Sequence, residues 1–339
     1  MRINAEISKD GKTLIIPDGT TVITDFAYSR RAFSTVVIPD SVKQIGRYAF
    51  AYSYALEEVK GCKNVEVISS CAFAYCWNLK KFPFGNQVRN IYEYAFHNTM
   101  LTEVSLPEGL RHVGKQAFDT GKDNTKIDTS SMYDIHIPST LKDIGASAFA
   151  NAAHVYTSFV NTALIKACMR SGNLKCMYEC DIWTLKVEGR PAVIVPKAID
   201  GPSCAVEMAN EINTALGLKH AKPPVGENDA IIPPGLYRYS SNATGLTAAL
   251  EQCRKYPNAN LKRFITRNIG VIFMNLILYS ECSNGEEIIV SLIKDGVFSD
   301  TALKKLMEEI EKSDKKEGLV TLKAYVLNAI KKKNGAFKI

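Results

Sequence analysis

The chain has 339 residues, of which 46% are hydrophobic and 23% are charged, so it is long enough for two or three domains with buried cores. Its formal net charge of +7 is spread over the whole length, which makes nucleic-acid binding an unfavoured interpretation. The most apolar run, residues 269–279, is too short to cross a bilayer and contains Asn275. Composition and hydropathy therefore argue against a membrane-spanning protein.

The N-terminal residues predict a cap. No apolar stretch of signal-peptide type follows Met1, so we expect no export signal in this chain. Residues 5–8 and 13–16 flank Lys9-Asp-Gly-Lys12, a sequence typical of a hairpin turn. Residues 1–16 would then cover the open sheet edge of the structure that follows.

An Ala-Phe pair recurs along the next part of the chain at near-constant spacing. It occupies positions 49–50, 72–73, 95–96, 117–118 and 148–149, with a variant pair at Ala27-Tyr28. The alanine positions 27, 49, 72, 95, 117 and 148 give steps of 22, 23, 23, 22 and 31 residues. A period in the twenties is typical of a solenoid, in which each repeat buries its apolar face on its neighbours.

Further columns share this register. An apolar residue recurs three positions before each Ile or Val that begins the block, at Val42, Val65, Val88, Leu110 and Leu141. Proline follows three strand-like segments, where it ends the hydrogen-bond ladder, at Pro39, Pro107 and Pro138. Glycine occurs where a backbone turn is expected, at Gly46, Gly114 and Gly145. The recurring aromatics predict an internal stacked spine of Phe50, Phe73, Phe96, Phe118 and Phe149.

Two segments, residues 38–50 and 137–149, carry the full pattern Ile-Pro-x-x-Val/Leu-Lys-x-Ile-Gly-x-x-Ala-Phe. This pattern closely resembles BspA-type leucine-rich repeats, and the resemblance covers residues 14–156. It implies a curved, right-handed β-solenoid with a sheet on its concave side. It also implies protein or matrix binding, often at cell surfaces, and no catalysis.

The longest step contains an insertion at residues 119–133, which is either part of a binding face or a tolerated surface loop. Residues 157–198 predict a C-terminal cap, with a helix over 158–170 and a hairpin formed by 182–187 and 192–195. We therefore assign residues 1–198 to one leucine-rich-repeat domain with capping hairpins.

Residues 199–240 include Pro223-Pro224 and Pro233-Pro234, and predict a linker or extended segment. Residues 241–339 predict an all-helical domain. Phrases such as Ile288-Ile-Val-Ser-Leu-Ile-Lys-Asp-Gly296 in it resemble the helical tails of ankyrin-type repeats. The fold class expected for the whole chain is α+β.

Nine scattered cysteines without a Cys-x-x-Cys motif favour reduced, structural thiols. Cys168, Cys176 and Cys180 with His154 are a conceivable zinc set, but their spacing fits no standard ligand pattern, so no metal is predicted. Reduced thiols and the missing signal segment predict a cytoplasmic location, with the cell surface as the alternative.

No motif for a nucleophile, a phosphate loop or a metalloprotease stands in a fitting context, so neither catalytic residues nor cofactors are predicted. Side chains between the inward-pointing residues of each strand should instead form a polar strip on the concave face. The predicted partner-binding residues of this strip are Glu58, Lys81, Glu103, Asp134 and His136. Tyr52, Tyr75 and Trp77 are candidate aromatic anchors, or else brace the turns between repeats.

These features predict a non-catalytic protein-interaction scaffold that binds a protein partner through the concave face of the solenoid. Two alternatives stay open. The first is a cell-surface adhesin that binds matrix, and the second is a nucleic-acid-binding or enzymatic role of the helical domain. The helical domain is also a candidate surface for homo-oligomer formation.

Overall fold

A computed structural model describes residues 6–120, 133–169, 182–198, 202–218, 237, 242–278 and 285–335. The chain divides into two compact units, which we describe separately. The first comprises residues 1–173 and 183–192, and the second comprises 174–182 and 193–339. The predicted insertion loop, the proline-rich stretch after residue 220, and Cys176 and Cys180 lie outside the described residues.

The repeat region consists of very short strands and one short helix, α1. The bounds are β1 Glu6–Ile7, β2 Thr13–Ile15, β3 Val22–Ile23, β4 Thr35–Ile38, β5 Gln44–Ile45, β6 Glu58–Gly61, β7 Val67–Ile68, β8 Asn90–Ile91, β9 Glu103–Ser105, β10 His112–Val113, β11 Tyr133–His136, β12 Asp143–Ile144, β13 Ala152–Thr157, α1 Thr162–Cys168 and β14 Ile182–Val187.

Strands of successive repeats pair side by side. At the N-terminal edge, β1 pairs antiparallel with β2, which is the hairpin that residues 5–16 predict. From β2 onward the pairing is parallel, with β2, β4 and β6 forming one ladder. A second sheet has the order β3-β5-β7-β8-β10-β12, and all of its strands are parallel. The first three repeats therefore each supply one strand to each of two sheets.

The first ladder resumes beyond residue 100 as a sheet formed by β9, β11, β13 and β14, again all parallel. Between β6 and β9 only a single bridge, Glu58 to Lys81, continues the pairing. Pro83 lies two residues after Lys81, where the neighbouring repeats have strand residues, and proline has no N–H to donate. The fourth repeat therefore interrupts the sheet.

The recurring phenylalanines form a single stacked file inside the repeat region. All five are 0% exposed. The ring centroids lie 5.1 Å apart for Phe50–Phe73, 5.3 Å for Phe73–Phe96, 5.2 Å for Phe96–Phe118 and 6.0 Å for Phe118–Phe149. Ala49, Ala72, Ala95, Ala117 and Ala148 beside them are also fully buried, which lets neighbouring backbones approach closely.

Each turn around this aromatic file places non-glycine residues in the left-handed region. The residue two positions before each aromatic has a positive φ, as at Tyr48 (54°), and so has the residue two positions after it in four repeats, as at Tyr52 (61°). This conformation costs about 1–2 kcal/mol for a residue with a Cβ. It is held because Tyr48 N–H and Tyr52 N–H donate to carbonyls of the next repeat, over 3.2 and 2.9 Å.

The turns expected at the repeat glycines are present, and each glycine carbonyl accepts a hydrogen bond from the N–H three residues later over 3.3 Å. Gly46, Gly114 and Gly145 are absent from the positive-φ positions, which fall two residues later. A Cβ at these glycines would lie 2.7, 2.4 and 2.3 Å from backbone atoms of the preceding repeat. Glycine is used here because two backbones pass at close range.

The second unit is mainly helical, with the short strand β15 Val193–Pro196. Its helices are α2 Pro202–Ala215, α3 Asn242–Lys255, α4 Ala259–Arg267, α5 Ile269–Phe273, a π-helical turn Met274–Leu278, α6 Gly285–Lys294, α7 Asp300–Lys312 and α8 Val320–Gly335. The chain is thus a protein with an N-terminal repeat region and a helical C-terminal part.

The prediction of an extended segment over residues 199–240 is wrong where helix α2 lies. Ala205, Met208, Ala209 and Ile212 recur at helical spacing, and all four are buried. Pro202 is the first helical residue, a position where its missing N–H costs nothing. The proline pairs further along the chain obscured this amphipathic pattern.

The helical chain from residue 259 onward is divided into several short pieces. Asn268 ends α4 with a non-helical ψ of 15°, and its Nδ2 donates to Phe264 O over 2.8 Å. In the π-helical turn that follows α5, Lys315 Nζ donates to the Ile277 carbonyl over 3.1 Å.

Candidate interaction surface

The parallel strands β9, β11, β13 and β14 set their outward side chains in two rows. The first row, in register across the sheet, contains Glu103, Asp134 and His154, and its next position on β14 is Thr184, which is buried. The second row contains Ser105, His136, Tyr156 and Lys186. Because side chains alternate across a strand, the residues between the rows, such as Ile135 and Val155, point inward and are fully buried.

An imidazole–carboxylate pair fixes the middle of the first row. His154 Nδ1 lies 2.7 Å from Asp134 Oδ1, and both side chains are roughly two-thirds buried. The pair therefore ties β11 to β13 through side chains as well as through the backbone ladder. It also gives His154 a structural partner.

The second row is a continuous aromatic and cationic stack. The rings of His136 and Tyr156 are 4.2 Å apart at their centroids and inclined by only 7°. Lys186 Nζ lies 4.6 Å from the centroid of the Tyr156 ring and donates to the Tyr156 hydroxyl over 2.8 Å. Cation–π attraction and this hydrogen bond hold the lysine head at one place above the sheet.

The predicted residues of the earlier repeats form a separate group. Glu58 bridges to Lys81 through the backbone and pairs with Lys60 at 3.2 Å, and all three side chains are exposed. A cleft of about 680 Å³ lies beside them, bounded by Phe82 and Pro83 where the sheet is interrupted. Exposed ion pairs of this kind contribute less than about 1 kcal/mol to folding, so these charges are available to a partner.

The structure thus divides the predicted strip into two groups. Glu103, Asp134 and His136 lie on adjacent, paired strands. Glu58 and Lys81 lie on the other side of the interruption. Backbone hydrogen bonds from Met100 N–H to Leu79 O, at 3.0 Å, and from Thr102 N–H to Lys80 O, at 3.3 Å, connect the chain on the two sides of it.

The candidate aromatic anchors stack on each other between repeats. Tyr52 and Tyr75 are parallel with centroids 4.8 Å apart, and Trp77 lies 4.6 Å from Tyr54. Arg30 lies over the outer face of this stack, 5.4 Å from the Tyr52 centroid. Their ring faces are therefore largely covered, and only Tyr54 is strongly exposed, at 47%. The stacking shows that these rings brace successive turns.

Sequence reasoning missed Tyr156 and Lys186. It ended the repeats at residue 156 and assigned residues 157–198 to a cap, whereas β13 crosses that boundary and β14 continues the same parallel sheet in register. The alternating pattern Thr184-Leu-Lys-Val187, with buried residues at Leu185 and Val187, could have indicated one more repeat strand.

Buried thiols in the repeats show no sign of activation. Burial raises the pKa of Cys62 and of Cys76 to about 12 in each case. Cys76 Sγ donates to the Phe50 carbonyl over 3.2 Å, just as Ser53 Oγ in the same column donates to Tyr28 O. A thiol with a raised pKa is a poor nucleophile, so these cysteines act as small packing residues.

Metal ligation and membrane insertion find no support within the part of the chain that the structure describes. No group of three or more His, Cys, Asp or Glu side chains there is arranged to hold a metal ion. None of the described helices combines the length and the apolar character that a membrane crossing requires.

Stacked parallel strands, a buried aromatic file and outward polar rows define a leucine-rich-repeat protein. A family model for the BspA type leucine-rich repeat region matches residues 8–125 and 122–190, with six copies. The chain belongs to this family. The match extends past residue 156 and so includes β13 and β14. No curated protein matches the chain.

Solved structures of several leucine-rich-repeat proteins are similar to part of the chain. A protein from Bacteroides ovatus is 19% identical over 46% of this chain and 46% of its own length, with a TM-score of 0.35. The match thus spans less than half of that relative. A leucine-rich-repeat protein of T. pallidum is 18% identical over 51% of this chain and 89% of its own, with a TM-score of 0.33. A leucine-rich cell surface protein of Faecalibacterium prausnitzii is 13% identical over 48% and 90%, with a TM-score of 0.18.

Proposed function

We propose that the repeat region is a curved, right-handed β-solenoid that serves as a non-catalytic scaffold and binds a protein partner through the sheet of β9, β11, β13 and β14. The observation that carries the proposal is the pair of outward rows, which set polar and aromatic side chains at fixed strand spacing over a rigid interior. A preorganised face of this kind loses little entropy on binding. Its concave side would then present Glu103, Asp134 and His136 together.

The mixed character of this face favours a protein partner over a nucleic acid. Carboxylates (Glu103, Asp134) alternate with a cation and aromatic rings (Lys186, Tyr156, His136), whereas a nucleic-acid surface needs a cluster of unpaired cations. Charges of both signs guide the approach of the partner and fix its register on the sheet. The aromatic rings supply contact area that the partner would cover.

The test compares capture of proteins from a native lysate by the full chain and by charge-reversed variants. Glu103→Lys together with Lys81→Glu should remove the captured proteins, because Glu103 is exposed on the proposed face and Lys81 is exposed in the adjoining part of the predicted strip. Arg111→Glu together with Lys142→Glu, exposed positions next to the second sheet, is the matched control and should capture as the unchanged chain does. Equal capture by both double variants would refute binding through this face.

Two coarser features of the proposal concern location and assembly. Buried thiols such as Cys62 and Cys76 suit a reducing compartment, so we place the protein in the cytoplasm, with cell-surface attachment, common in the family, as the alternative. Fractionation of cells with an antibody against the chain distinguishes the two.

On α8, Val320 and Leu327 are 66% and 48% exposed, which supports the prediction of a homo-oligomer through the helical unit.

A further inference from the structure

A cleft of about 450 Å³ lies at the carboxyl ends of β9, β11, β13 and β14. Its lining includes His136, Tyr156 and Lys186 of the second row. Glu108 and Ser139, which follow the strand ends, also border it. All of these residues belong to the repeat unit, and the cleft opens on the face to which we assign partner binding.

Lys186 is the cation of this cleft, and its charge is unmatched. Its side chain is partly buried against Tyr156, and within the described part of the chain its hydrogen bond goes to a neutral hydroxyl. Among the described residues no carboxylate forms an ion pair with it, in contrast to Lys43, Lys60 and Lys63 of the earlier repeats. A partly desolvated ammonium with two free N–H donors is stabilised strongly by an anionic acceptor.

The acid in the wall of the cleft is already engaged. Glu108 accepts hydrogen bonds from Ser139 N–H at 3.2 Å, Ser139 Oγ at 3.3 Å and Thr140 Oγ1 at 3.3 Å. It therefore fixes the loop after β11 and does not neutralise Lys186. Its negative charge, together with that of Glu188 at the rim, disfavours any ligand with several negative charges.

His136 offers a flat surface next to this cation. One face of its ring stacks on Tyr156. Its neighbour in register on the other side is Ser105, whose side chain is too small to cover the second face. A planar or apolar side chain can lie there while an anionic group reaches Lys186 along the same row.

We propose that this cleft binds a peptide segment of the protein partner that presents a single carboxylate, with the carboxylate on Lys186 Nζ and an adjacent side chain on the open face of His136. The inference rests on the proposed function and names the chemistry that the partner supplies. One cation, hydroxyl donors and two flanking acids match a singly charged carboxylate better than a phosphate. A site of this kind would recognise one acidic side chain in a partner peptide that otherwise carries little charge.

The experiment uses the full chain on an array of synthetic twelve-residue peptides, each present in matched forms. One form carries a single Glu, the second carries Gln at that position, and the third carries phosphoserine. The Glu form should bind about tenfold or more tightly than the Gln form, because a charge-assisted hydrogen bond contributes about 1.5–3 kcal/mol. Phosphoserine forms should bind no better than the Glu forms.

Three variants locate the contact. Lys186→Gln should bring Glu and Gln peptides to equal affinity. Tyr156→Phe keeps the ring and removes the hydroxyl that holds the lysine, and should weaken Glu peptides by a smaller factor. Lys60→Gln, an exposed lysine on β6 remote from this cleft, is the matched control and should leave the preference unchanged. Thermal melting of each variant verifies that it is folded.

Several results would overturn the inference. These are an array without Glu preference, an array that prefers phosphoserine, and a Glu preference that survives in Lys186→Gln. If proteins are still captured through Glu103 and Lys81 in any of these cases, the proposed function stands and only the carboxylate site fails. If capture through that face is also absent, the scaffold function itself is contradicted.

Discussion

At the scale of single residues, burial decides which of the recurring aromatics stabilise the protein. Phe96 is fully buried and lies between Phe73 and Phe118, with edge contacts to Phe82 and Phe84 at 4.9 and 5.4 Å. Phe26, two residues before the aromatic position of its repeat, is 58% exposed and stacks on Tyr48 from outside. A phenylalanine therefore contributes much more to the free energy of unfolding at position 96 than at position 26.

Phe96→Ala should lower the free energy of unfolding of the repeat region by about 3–5 kcal/mol, because it leaves a cavity in the middle of the stacked file. Phe26→Ala is the control and should cost less than about 1 kcal/mol. Urea unfolding followed by far-ultraviolet circular dichroism measures both. Equal losses for the two variants would mean that the aromatic file is not a packed core.

His97 makes a second prediction at this scale. Its ring is buried between Tyr75 and Tyr94, and desolvation lowers its pKa, although the nearby Asp119 carboxylate opposes the shift. A lowered pKa means that the unfolded chain binds the proton more readily than the folded one. The stabilisation is therefore present above the ordinary pKa of 6.5 and is lost as the pH falls below it.

Lowering the pH from 8 to 5 should reduce the melting temperature of the unchanged chain more than that of His97→Gln, which cannot take up this proton. Melting curves by scanning calorimetry at both pH values decide the question. Identical pH dependence in the His97 variant would show that this imidazole is not held neutral.

At the scale of elements, the repeats approach each other so closely that one column of the backbone has no room for a side chain. A Cβ at Gly145 would lie 2.3 Å from Lys115 N and 2.6 Å from Gly114 C. The same column carries Ser69 in another repeat, where a Cβ is already accommodated. The close approach is therefore a local property of particular pairs of repeats.

Gly145→Ala should destabilise the repeat region by about 1–3 kcal/mol, since the backbone must shift to admit the methyl group. Ser69→Ala, in the same column, should change stability by less than about 1 kcal/mol. Chemical denaturation of the two variants under the same conditions gives the comparison. A neutral Gly145→Ala variant would show that the repeats are not in backbone contact there.

The sequence predicts the repeated strands and turns well, because apolar residues recur at the same positions in each repeat. The positions of Val36, Val59 and Val104 as inward strand residues follow from period and alternation alone, and all three are buried. The positive φ of Tyr48 and Tyr52 could not be predicted, since bulky residues rarely adopt it and only hydrogen bonds between repeats make it tolerable. Helix α2 was missed because nearby prolines outweighed a weak amphipathic pattern.

The candidate site was only partly predictable for a related reason. Glu103, Asp134 and His136 follow from the alternation of side chains within strands. Tyr156 and Lys186 lie on β13 and β14, and neither strand is followed by an Ala-Phe pair. The recurring residues that reveal the other repeats are therefore missing there. Their contribution depends on register between distant segments, which only the structure supplies.

At the scale of the whole molecule, the protein combines a repeat region with a helical unit, and the recurring residues of the repeats do not extend into the helical unit. The described strands of the repeat region form three sheets around a continuous interior, and the sheet of β9, β11, β13 and β14 carries the polar and aromatic rows. Function is expected on that sheet because its side chains are organised without contributing to the core. The helical unit contributes its own buried core, from Leu261 to Val326.

The most direct measurement of this account places a photo-crosslinking amino acid, benzoylphenylalanine, in the full chain at position 103 or at position 142 and irradiates each in native lysate. Both positions are exposed, the first on the proposed face and the second next to the other sheet. The account predicts crosslinked protein adducts from position 103 and none above background from position 142. Adducts from position 142 alone, or from neither position, would contradict it.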